Sequence, residues 1–291
     1  MKKIVILGCE NSHADAFLSF IRDREEYRDV EVVGVYSIDR AAAEKLHDTF
    51  DVPVMDTPDE AVGKVDGVVV TARHGAYHAP FVRPYLSTCR AVFIDKPVTI
   101  EEDEAVELMR ECRKHGVKVS GGSSLKHVAE VGLIRDDVRD EIAGKTLSGV
   151  LRAPVSYTND HGGFFFYSEH LVAMLGEAFG WFPTSVISNR KGAVTTTIFR
   201  YPEYDIIGLH TEGFYKYAIT RHAERAVRHE EYPINPTSDC FLAEWQEFYG
   251  LLGDAVPHYT EEEIIAPVFI LNAMCRSMES GHEEPVRSFT I

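Results

Sequence analysis

The stretch KIVILGCENSHADAF, residues 3–17, decides the fold of the amino-terminal half of the chain. Its opening KIVILG is mostly β-branched and apolar and ends in Gly8, which is typical of a strand buried on both faces of a parallel sheet. Asn11 or Ser12 can cap a helix directly afterwards, and Phe17 begins its apolar stripe. Many α/β proteins bind nucleotide phosphates at a turn of this kind. The stretch therefore predicts a strand, a phosphate-binding turn and a helix.

The alternation of strand and helix continues to about residue 122. Strand patterns occupy residues 30–37, 66–72, 91–95 and 117–122, and helix patterns occupy 41–50, 78–86 and 100–116. A further helix is expected after Thr57, which can cap it, with Pro58 in the first helical position. These patterns predict a doubly wound parallel α/β sheet of at least five strands.

The alternation stops in the second half of the chain. Longer strand patterns at 147–157, 193–201 and 215–232 predict an open mixed or antiparallel sheet. Helix patterns return at 241–253 and 260–281. We place the domain boundary at the glycine-serine hinge GGSSL, residues 121–125. The predicted domains are residues 1–121, which bind a nucleotide, and residues 122–291, a substrate-binding and oligomerisation α/β domain.

Composition limits the classes of function. A chain of 291 residues exceeds the usual size of one hydrophobic core, and 45% apolar and 26% charged residues are typical of a globular protein. The net charge of −16 argues against nucleic-acid and membrane partners. The five cysteines include no CxxC pair, and the apolar run at the start is too short for a signal peptide, so we expect a reduced, cytoplasmic protein.

The turn after the first strand departs from the dinucleotide fingerprint GxGxxG. Gly8 keeps the first glycine, Glu10 takes the second position and His13 takes the third. A Glu10 carboxylate about 4 Å from a phosphate would cost on the order of 4 kcal/mol at an effective dielectric near 20. The side chain can instead turn outward or bond the amides of Asn11 and Ser12. An ordinary turn carrying a solvated acid is the other interpretation.

The ribose of a dinucleotide would lie at the end of the second strand, near Ser37 and Asp39. An acid there favours NAD and an arginine favours NADP. Asp39 and Arg40 lie slightly beyond the end of the strand, where such a residue is expected, and Asp39 can equally cap the next helix. The sequence therefore predicts NAD or NADP, with NAD favoured. Thr71, which ends the strand at 66–72, is a further expected coenzyme contact.

The segment AVFIDKPVT, residues 91–99, places Asp95 and Lys96 at the carboxyl end of a buried strand. Ligands of open α/β sheets bind at this edge. Oxidation of an alcohol requires a base for the hydroxyl proton, and a partly desolvated lysine beside a positively charged nicotinamide can supply it. Asp95 and Lys96 are therefore expected to contact the coenzyme. The alternative is a surface lysine before a turn.

The DKP sequence after the AVFI strand, the segment HGGFFFYSEHLVAMLGEAFG at 161–180, and the helices at 241–281 together carry a resemblance. The chain resembles the glucose-fructose oxidoreductase, inositol dehydrogenase and MocA (Gfo/Idh/MocA) family over nearly its whole length. The resemblance implies a Rossmann-type amino-terminal domain, NAD or NADP, and a sugar, polyol or related hydroxyl substrate. It also implies a homodimer or homotetramer.

Site residues follow from the resemblance at matching positions. Lys96 would be the base or proton relay, and His170 would bind the reacting hydroxyl. The family usually has an aspartate four residues before that histidine, where this chain has Phe166. Loss of that acid and of the second glycine leaves open a ligand-sensing relative without turnover. Further expected contacts are Tyr167, His161 and Glu169 for substrate, and His74 and His78 near the nicotinamide. His161, Glu169 and His170 fit no standard metal signature, so no metal is predicted.

Overall fold

The structure, a computed structural model, describes residues 1–232 and 238–291. The chain divides into two units, the first comprising Met1–Gly122, Phe241–Ile264 and Ile291, and the second comprising Ser123–Cys240 and Ile265–Thr290. The sequence predicted domains of 1–121 and 122–291. The predicted boundary after residue 121 differs by one residue from the observed boundary after Gly122. Residues 241–264, which the sequence placed in the second domain, belong to the first unit.

The described part of the first unit contains a five-stranded parallel sheet in the order β2-β1-β3-β4-β5. The expected doubly wound parallel sheet is confirmed. Its centre is apolar throughout, and β3 and β4 are buried along their whole lengths. A single parallel bridge from Val35 to Val54 extends the β2 edge. The strands are β1 (Lys2–Leu7), β2 (Val30–Tyr36), β3 (Gly67–Val70), β4 (Ala91–Asp95) and β5 (Lys118–Gly122).

The helices between these strands follow the sequence patterns, with one exception. They are α1 (Ser12–Asp23), α2 (Arg40–Phe50), α3 (His78–Val82) and α4 (Glu102–His115). The helix expected after Thr57 is absent from the described residues, and that prediction was wrong. The Thr57 amide donates to Glu60 at 2.7 Å, as a capping residue would allow. The following bonds span three residues, and Gly63 has φ +74°, so the segment forms turns.

Helix α7 (Ser238–Leu251) explains why the first unit is discontinuous. Trp245 and Phe248 are fully buried in the same core as Phe17 of α1 and Phe93 of β4. The Trp245 ring lies 5.4 Å from the Phe17 ring. Gly67 of β3 lets this helix approach closely, because an added Cβ would lie 2.9 Å from Phe248. Burial of these large aromatic side chains in the core of the first unit is the reason that helix α7 belongs to this unit.

The second unit contains a seven-stranded mixed sheet among its described residues, in the order β11-β10-β6-β9-β8-β7-β12. Only β6 and β9 pair in parallel, and the other neighbouring strands are antiparallel. The expected open mixed or antiparallel sheet is confirmed. The strands are β6 (Thr146–Val155), β7 (Ser185–Lys191), β8 (Val194–Arg200), β9 (Asp205–Glu212), β10 (Tyr217–Ala223), β11 (Val227–Tyr232) and β12 (Glu284–Pro285).

Helices cover one side of this sheet and form the second core. They are α5 (Ala129–Arg139), α6 (Phe164–Phe179) and α8 (Glu261–Ser280). Leu171 and Leu175 of α6 and Leu271 of α8 are buried together with Phe199 and Ile206 of the sheet. Gly208 of β9 lies directly below Leu171, which would clash with a larger side chain. This contact holds helix α6 against the sheet at Leu171, the residue that follows His170. Within the described ranges, none of the helices is long and apolar enough to cross a bilayer.

Candidate functional site

The turn after β1 is shaped by close packing of three strand ends. Gly8 has φ +91°, and a Cβ at this position would lie 2.2 Å from the Ala72 backbone nitrogen. The Gly8 amide donates to Tyr36 at 2.7 Å, and its carbonyl accepts from the buried Thr71 hydroxyl. Glycine is therefore required here by the approach of the segment after β3. The hydrogen bond from the Thr71 hydroxyl to the Gly8 carbonyl also holds this turn in place.

Glu10 does not point into solvent. One carboxylate oxygen, Oε2, accepts from the Ser37 hydroxyl at 2.7 Å and from the Cys9 amide at 2.9 Å. The other, Oε1, accepts from the Arg73 amide at 3.1 Å. The expected outward orientation and the expected bonds to Asn11 and Ser12 were both wrong. Two backbone amides, of Cys9 and Arg73, and the Ser37 hydroxyl hold the carboxylate at the ends of three strands.

Asn11 and Ser12 lie at the beginning of α1. The Asn11 side chain turns away from the helix and donates to Asp95 at 2.5 Å. Ser12 is exposed, and its hydroxyl bonds Asn11 at 3.3 Å. The backbone amides of the first turn therefore face outward without Asn11 as their cap. A helix amino terminus in this state attracts anions.

A buried ionic cluster lies beneath the turn. His13 of α1 lies 3.1 Å from Asp95 through Nδ1 and 3.1 Å from Glu244 of α7 through Nε2. Burial opposes charge on His13, but the two carboxylates outweigh it and raise the pKa of His13 to about 10. Burial likewise opposes ionisation of Asp95, but His13 and then Lys96 lower its pKa. His13 and Asp95 are therefore both charged at neutral pH.

Lys96 follows this cluster directly. It is 4% exposed, so it is not an ordinary surface lysine. Its backbone amide donates to the Asp95 carboxylate at 2.7 Å, which fixes the backbone at the end of β4. The bond Lys96–Pro97 is a cis peptide. Asp95 thus connects the phosphate turn, helix α1 and the lysine.

Two further coenzyme candidates lie at the end of β2. Ser37 is 5% exposed and its hydroxyl is committed to Glu10. Asp39 precedes α2 as its N-cap residue, and its carbonyl accepts from Ala42 at 3.0 Å. Arg40 is exposed and pairs with Asp56 at 2.7 Å and with Glu44 at 3.3 Å. The carboxylate that binds the Ser37 hydroxyl is therefore that of Glu10, from the turn after β1.

The two histidines after β3 have different environments. His74 is half-buried and its Nδ1 accepts from the Ala76 amide at 3.2 Å. His78 is fully buried, and its Nε2 lies 2.7 Å from the Ala72 carbonyl. Burial lowers the pKa of His78. His78 therefore supports the strand end, and its burial leaves His74 as the histidine with surface for a nicotinamide contact.

His170 lies on α6 of the second unit and is half-buried. It is held by Ser123, to which the sequence analysis gave no role beyond the hinge at 121–125. Its Nδ1 lies 2.7 Å from the Ser123 hydroxyl. Ser123 is itself buried and accepts from the Leu125 amide at 3.3 Å. The hinge serine thus fixes the orientation of the imidazole ring.

Aromatic rings surround His170. Tyr167 lies 6.1 Å from it and 5.7 Å from Tyr215. Phe166, which replaces the expected aspartate, lies 4.8 Å from Tyr167 and 5.1 Å from His161. Glu169 is fully buried within α6, which places it in the interior and away from any dissolved substrate.

The described residues contain no group of histidine, cysteine or acidic side chains arranged to hold a metal ion. Sequence reasoning assigned no site role to three side chains that the structure positions: His13, Ser123 and Glu244. The replacement of the third fingerprint glycine by His13 was the one signal that pointed to such a role. Its two carboxylate partners could not be foreseen from the sequence, because they come from β4 and α7.

Comparisons with known proteins give matches for the amino-terminal part of the chain. Residues 2–123 match the model of the oxidoreductase family with an NAD-binding Rossmann fold (GFO_IDH_MocA). Glucose-6-phosphate 3-dehydrogenase of Bacillus subtilis (strain 168) is 27% identical over 151 residues, which span 51% of this chain and 41% of that protein.

Solved structures resemble the fold of the entire chain. The scyllo-inositol dehydrogenase of Lactobacillus casei, solved with NAD(H) and scyllo-inositol, has a TM-score of 0.84 at 14% identity and covers 99% of this chain and 100% of its own. The WlbA dehydrogenase of Chromobacterium violaceum, solved with NADH and UDP-GlcNAcA, has a TM-score of 0.83 at 14% identity, covering 99% and 97%. Residues 2–123 therefore match the Gfo/Idh/MocA family of oxidoreductases, and the chain as a whole shares its fold with these two dehydrogenase structures.

Proposed function

We propose that this protein is a nicotinamide-dependent dehydrogenase that oxidises a hydroxyl group of a small sugar, polyol or related compound. The observation that carries the proposal is the buried Lys96, fixed through Asp95 at the carboxyl end of β4. Ligands of doubly wound sheets bind at this edge. The family match and the sugar and inositol dehydrogenases among the similar proteins support the same reaction class.

The first unit has features that fit a dinucleotide. Gly8 brings the backbone of the turn close to the sheet, and the amides at the beginning of α1 lie beside it. Asn11 and Ser12 would hold the pyrophosphate through backbone amides at this helix terminus. His74 would lie near the nicotinamide. When bound, the nicotinamide would accept the hydrogen and electron pair from the alcohol carbon.

Lys96 accepts the hydroxyl proton in this proposal. A neutral Nζ takes the proton as the alcohol becomes a carbonyl, and the ammonium later returns it to solvent. The ionised Asp95 next to it receives the Lys96 amide and holds the residue in place.

His170 binds the reacting hydroxyl in this proposal. The Ser123 hydroxyl lies 2.7 Å from its Nδ1 and so holds the imidazole ring in place for that contact. Tyr167 lies beside it and His161 packs against Phe166, and both would offer aromatic surface and polar groups to a sugar ring. Side chains of this kind favour a substrate that combines hydroxyl groups with an apolar face, as a sugar ring does.

The decisive experiment replaces Lys96. Lys96→Ala should lower kcat/KM for the best substrate of a sugar and inositol panel by roughly 100-fold or more, because it removes the general base. NADH binding, followed by fluorescence, should persist. The control is Lys64→Ala, which changes an exposed lysine in the turn before β3. Unchanged turnover in Lys96→Ala would contradict the proposed role of this lysine.

A second function is favoured by one observation. Phe166 occupies the position of the family's aspartate and packs against Tyr167 and His161, so a proton acceptor is lost from that helix face. A ligand-binding relative without turnover would bind members of the panel by calorimetry and produce no NADH absorbance. The dehydrogenase would produce NADH with at least one of them.

A further inference from the structure

The dinucleotide fold places an acid at the end of its second strand, where the carboxylate receives the hydroxyls of the adenosine ribose. In this chain β2 ends at Tyr36 and is followed by Ser37, which carries no charge. A carboxylate nevertheless lies there, because Glu10 Oε2 is 2.7 Å from the Ser37 hydroxyl. The acid reaches the end of β2 from the turn after β1.

We propose that Glu10, held by Ser37, selects NAD over NADP by accepting a hydrogen bond from the adenosine ribose and repelling a 2′-phosphate. The inference rests on the proposed function, since it requires that the chain binds a nicotinamide coenzyme. It assigns to Glu10 a role that the fingerprint alone would interpret as a defect.

The geometry fixes the carboxylate and keeps acceptor capacity for a ligand. Ser37, the Cys9 amide and the Arg73 amide donate three hydrogen bonds to Glu10. An ionised carboxylate has about four acceptor positions, so one remains for a ribose hydroxyl. Two of the three bonds go to Oε2 and one to Oε1, which leaves Oε1 as the atom for the ribose. The side chain is half-buried, so a ligand can reach it.

The surrounding charges oppose an additional phosphate. Burial and, to a smaller extent, the charges of Glu10, Asp15 and Asp39 together raise the pKa of the Cys9 thiol to about 12. These three acids therefore disfavour a further negative charge on the Cys9 side of the turn. Arg40, the cation that an NADP site would use near this position, is paired with Asp56 and Glu44. A phosphate dianion bound next to the Glu10 carboxylate would be repelled by it.

A competing role for the same contacts is obstruction. The donors that hold Glu10 are the kind that bind a pyrophosphate, so the carboxylate could occupy the place of the coenzyme's own anion. The two roles make opposite predictions for a neutral side chain. A selecting Glu10 is needed for NAD affinity, whereas an obstructing Glu10 lowers the affinity for both coenzymes.

The test measures dissociation constants of NADH and NADPH by fluorescence titration and calorimetry, with no substrate present. The full-length protein should bind NADH roughly 100-fold more tightly than NADPH. Glu10→Gln, which keeps the shape and removes the charge, should reduce that ratio at least tenfold by weakening NADH and strengthening NADPH. Asp23→Asn makes the same acid-to-amide change at the exposed carboxyl end of α1 and should leave the ratio unchanged. Adding Ser37→Asp to Glu10→Gln should restore the preference for NADH.

The outcomes separate this inference from the proposed function. A protein that binds both coenzymes equally, or a Glu10→Gln variant with an unchanged ratio, overturns the role of Glu10 while the dehydrogenase stands. A Glu10→Gln variant that binds both coenzymes more tightly by the same factor establishes obstruction and also overturns it. Absence of any coenzyme binding by the unaltered protein overturns the proposed function itself. Should Glu10→Gln unfold, Ser37→Ala, which removes one support of the carboxylate, should lower the ratio at least threefold.

Discussion

At the residue scale, Ser123 determines how His170 can meet a ligand. The Ser123 oxygen accepts from the Leu125 amide and lies 2.7 Å from His170 Nδ1. A hydroxyl can donate to an imidazole nitrogen or accept from its N–H, so this contact holds the ring and biases its tautomer. In the proposed function, His170 would hold the substrate oxygen and leave proton removal to Lys96.

Ser123→Ala should therefore raise KM for the hydroxyl substrate about fivefold, equivalent to the loss of about 1 kcal/mol for one hydrogen bond. We expect kcat to change less, because Lys96 is retained. The nitrogen NMR signals of His170 should move toward a mixture of tautomers, which a merely structural change would not cause. Ser124→Ala, at a neighbouring buried serine, is the control. Unaltered His170 signals in Ser123→Ala would refute the arrangement.

At the element scale, α1 is joined to β4 and α7 by the ions at His13. A glycine in this fingerprint position would let helix and strand approach, but here the imidazole fills the space. It contacts Asp95 at the end of β4 and Glu244 on α7, and all three side chains are almost completely buried. The cation thus offsets two carboxylates that would otherwise repel each other in the interior. The three elements depend on one another through this cluster.

His13→Gln should lower the free energy of unfolding at pH 7 by about 3 kcal/mol, because it leaves two buried carboxylates without a cation. The folded pKa of His13, about 10, lies above its ordinary value of 6.5. Its stabilisation is therefore fully present below pH 6.5 and is lost as the pH rises through 10. Asp95 has a lowered pKa, so its contribution is lost as the pH falls through that value.

Urea denaturation at pH 7 and pH 10 measures this difference. The gap between the unaltered protein and His13→Gln should narrow at pH 10. His258→Gln changes an exposed histidine and should be indistinguishable from the unaltered protein at both values. An equal gap at both pH values would show that His13 acts through packing and not through charge.

At the scale of the whole molecule, the first unit is assembled from distant parts of the chain. Trp245 and Phe248 of α7 complete the core around Phe17 and Phe93. Residues 1–122 contain every strand of the described parallel sheet, but they lack these aromatic side chains. Burial of such side chains contributes several kcal/mol each, a large fraction of the stability of one domain.

A polypeptide that ends at residue 122 should therefore unfold broadly with heat and bind a hydrophobic dye. Joining residues 238–264 to it through a glycine-serine linker should restore a sharp transition in circular dichroism. A chain of residues 1–122 that melts cooperatively by itself would contradict the contribution of α7.

The sequence by itself determined the alternation of strands and helices, the turn at Gly8 and the position of Lys96 after β4. These features depend on residues that are neighbours in the chain, where periodicity and capping act. Local rules failed at Thr57, where a capping contact forms and three-residue turns follow it.

Only the tertiary structure decided where the charged and polar side chains go. Glu10 finds donors 27 and 63 residues away, and Ser123 meets His170 across 47 residues. Helix α7 joins a core whose strands end at Gly122, long before it in the chain. A one-dimensional pattern records which side chains carry charge or apolar surface. It does not record which of them the crossovers bring within 3 Å, because that depends on the order of the strands in the sheet.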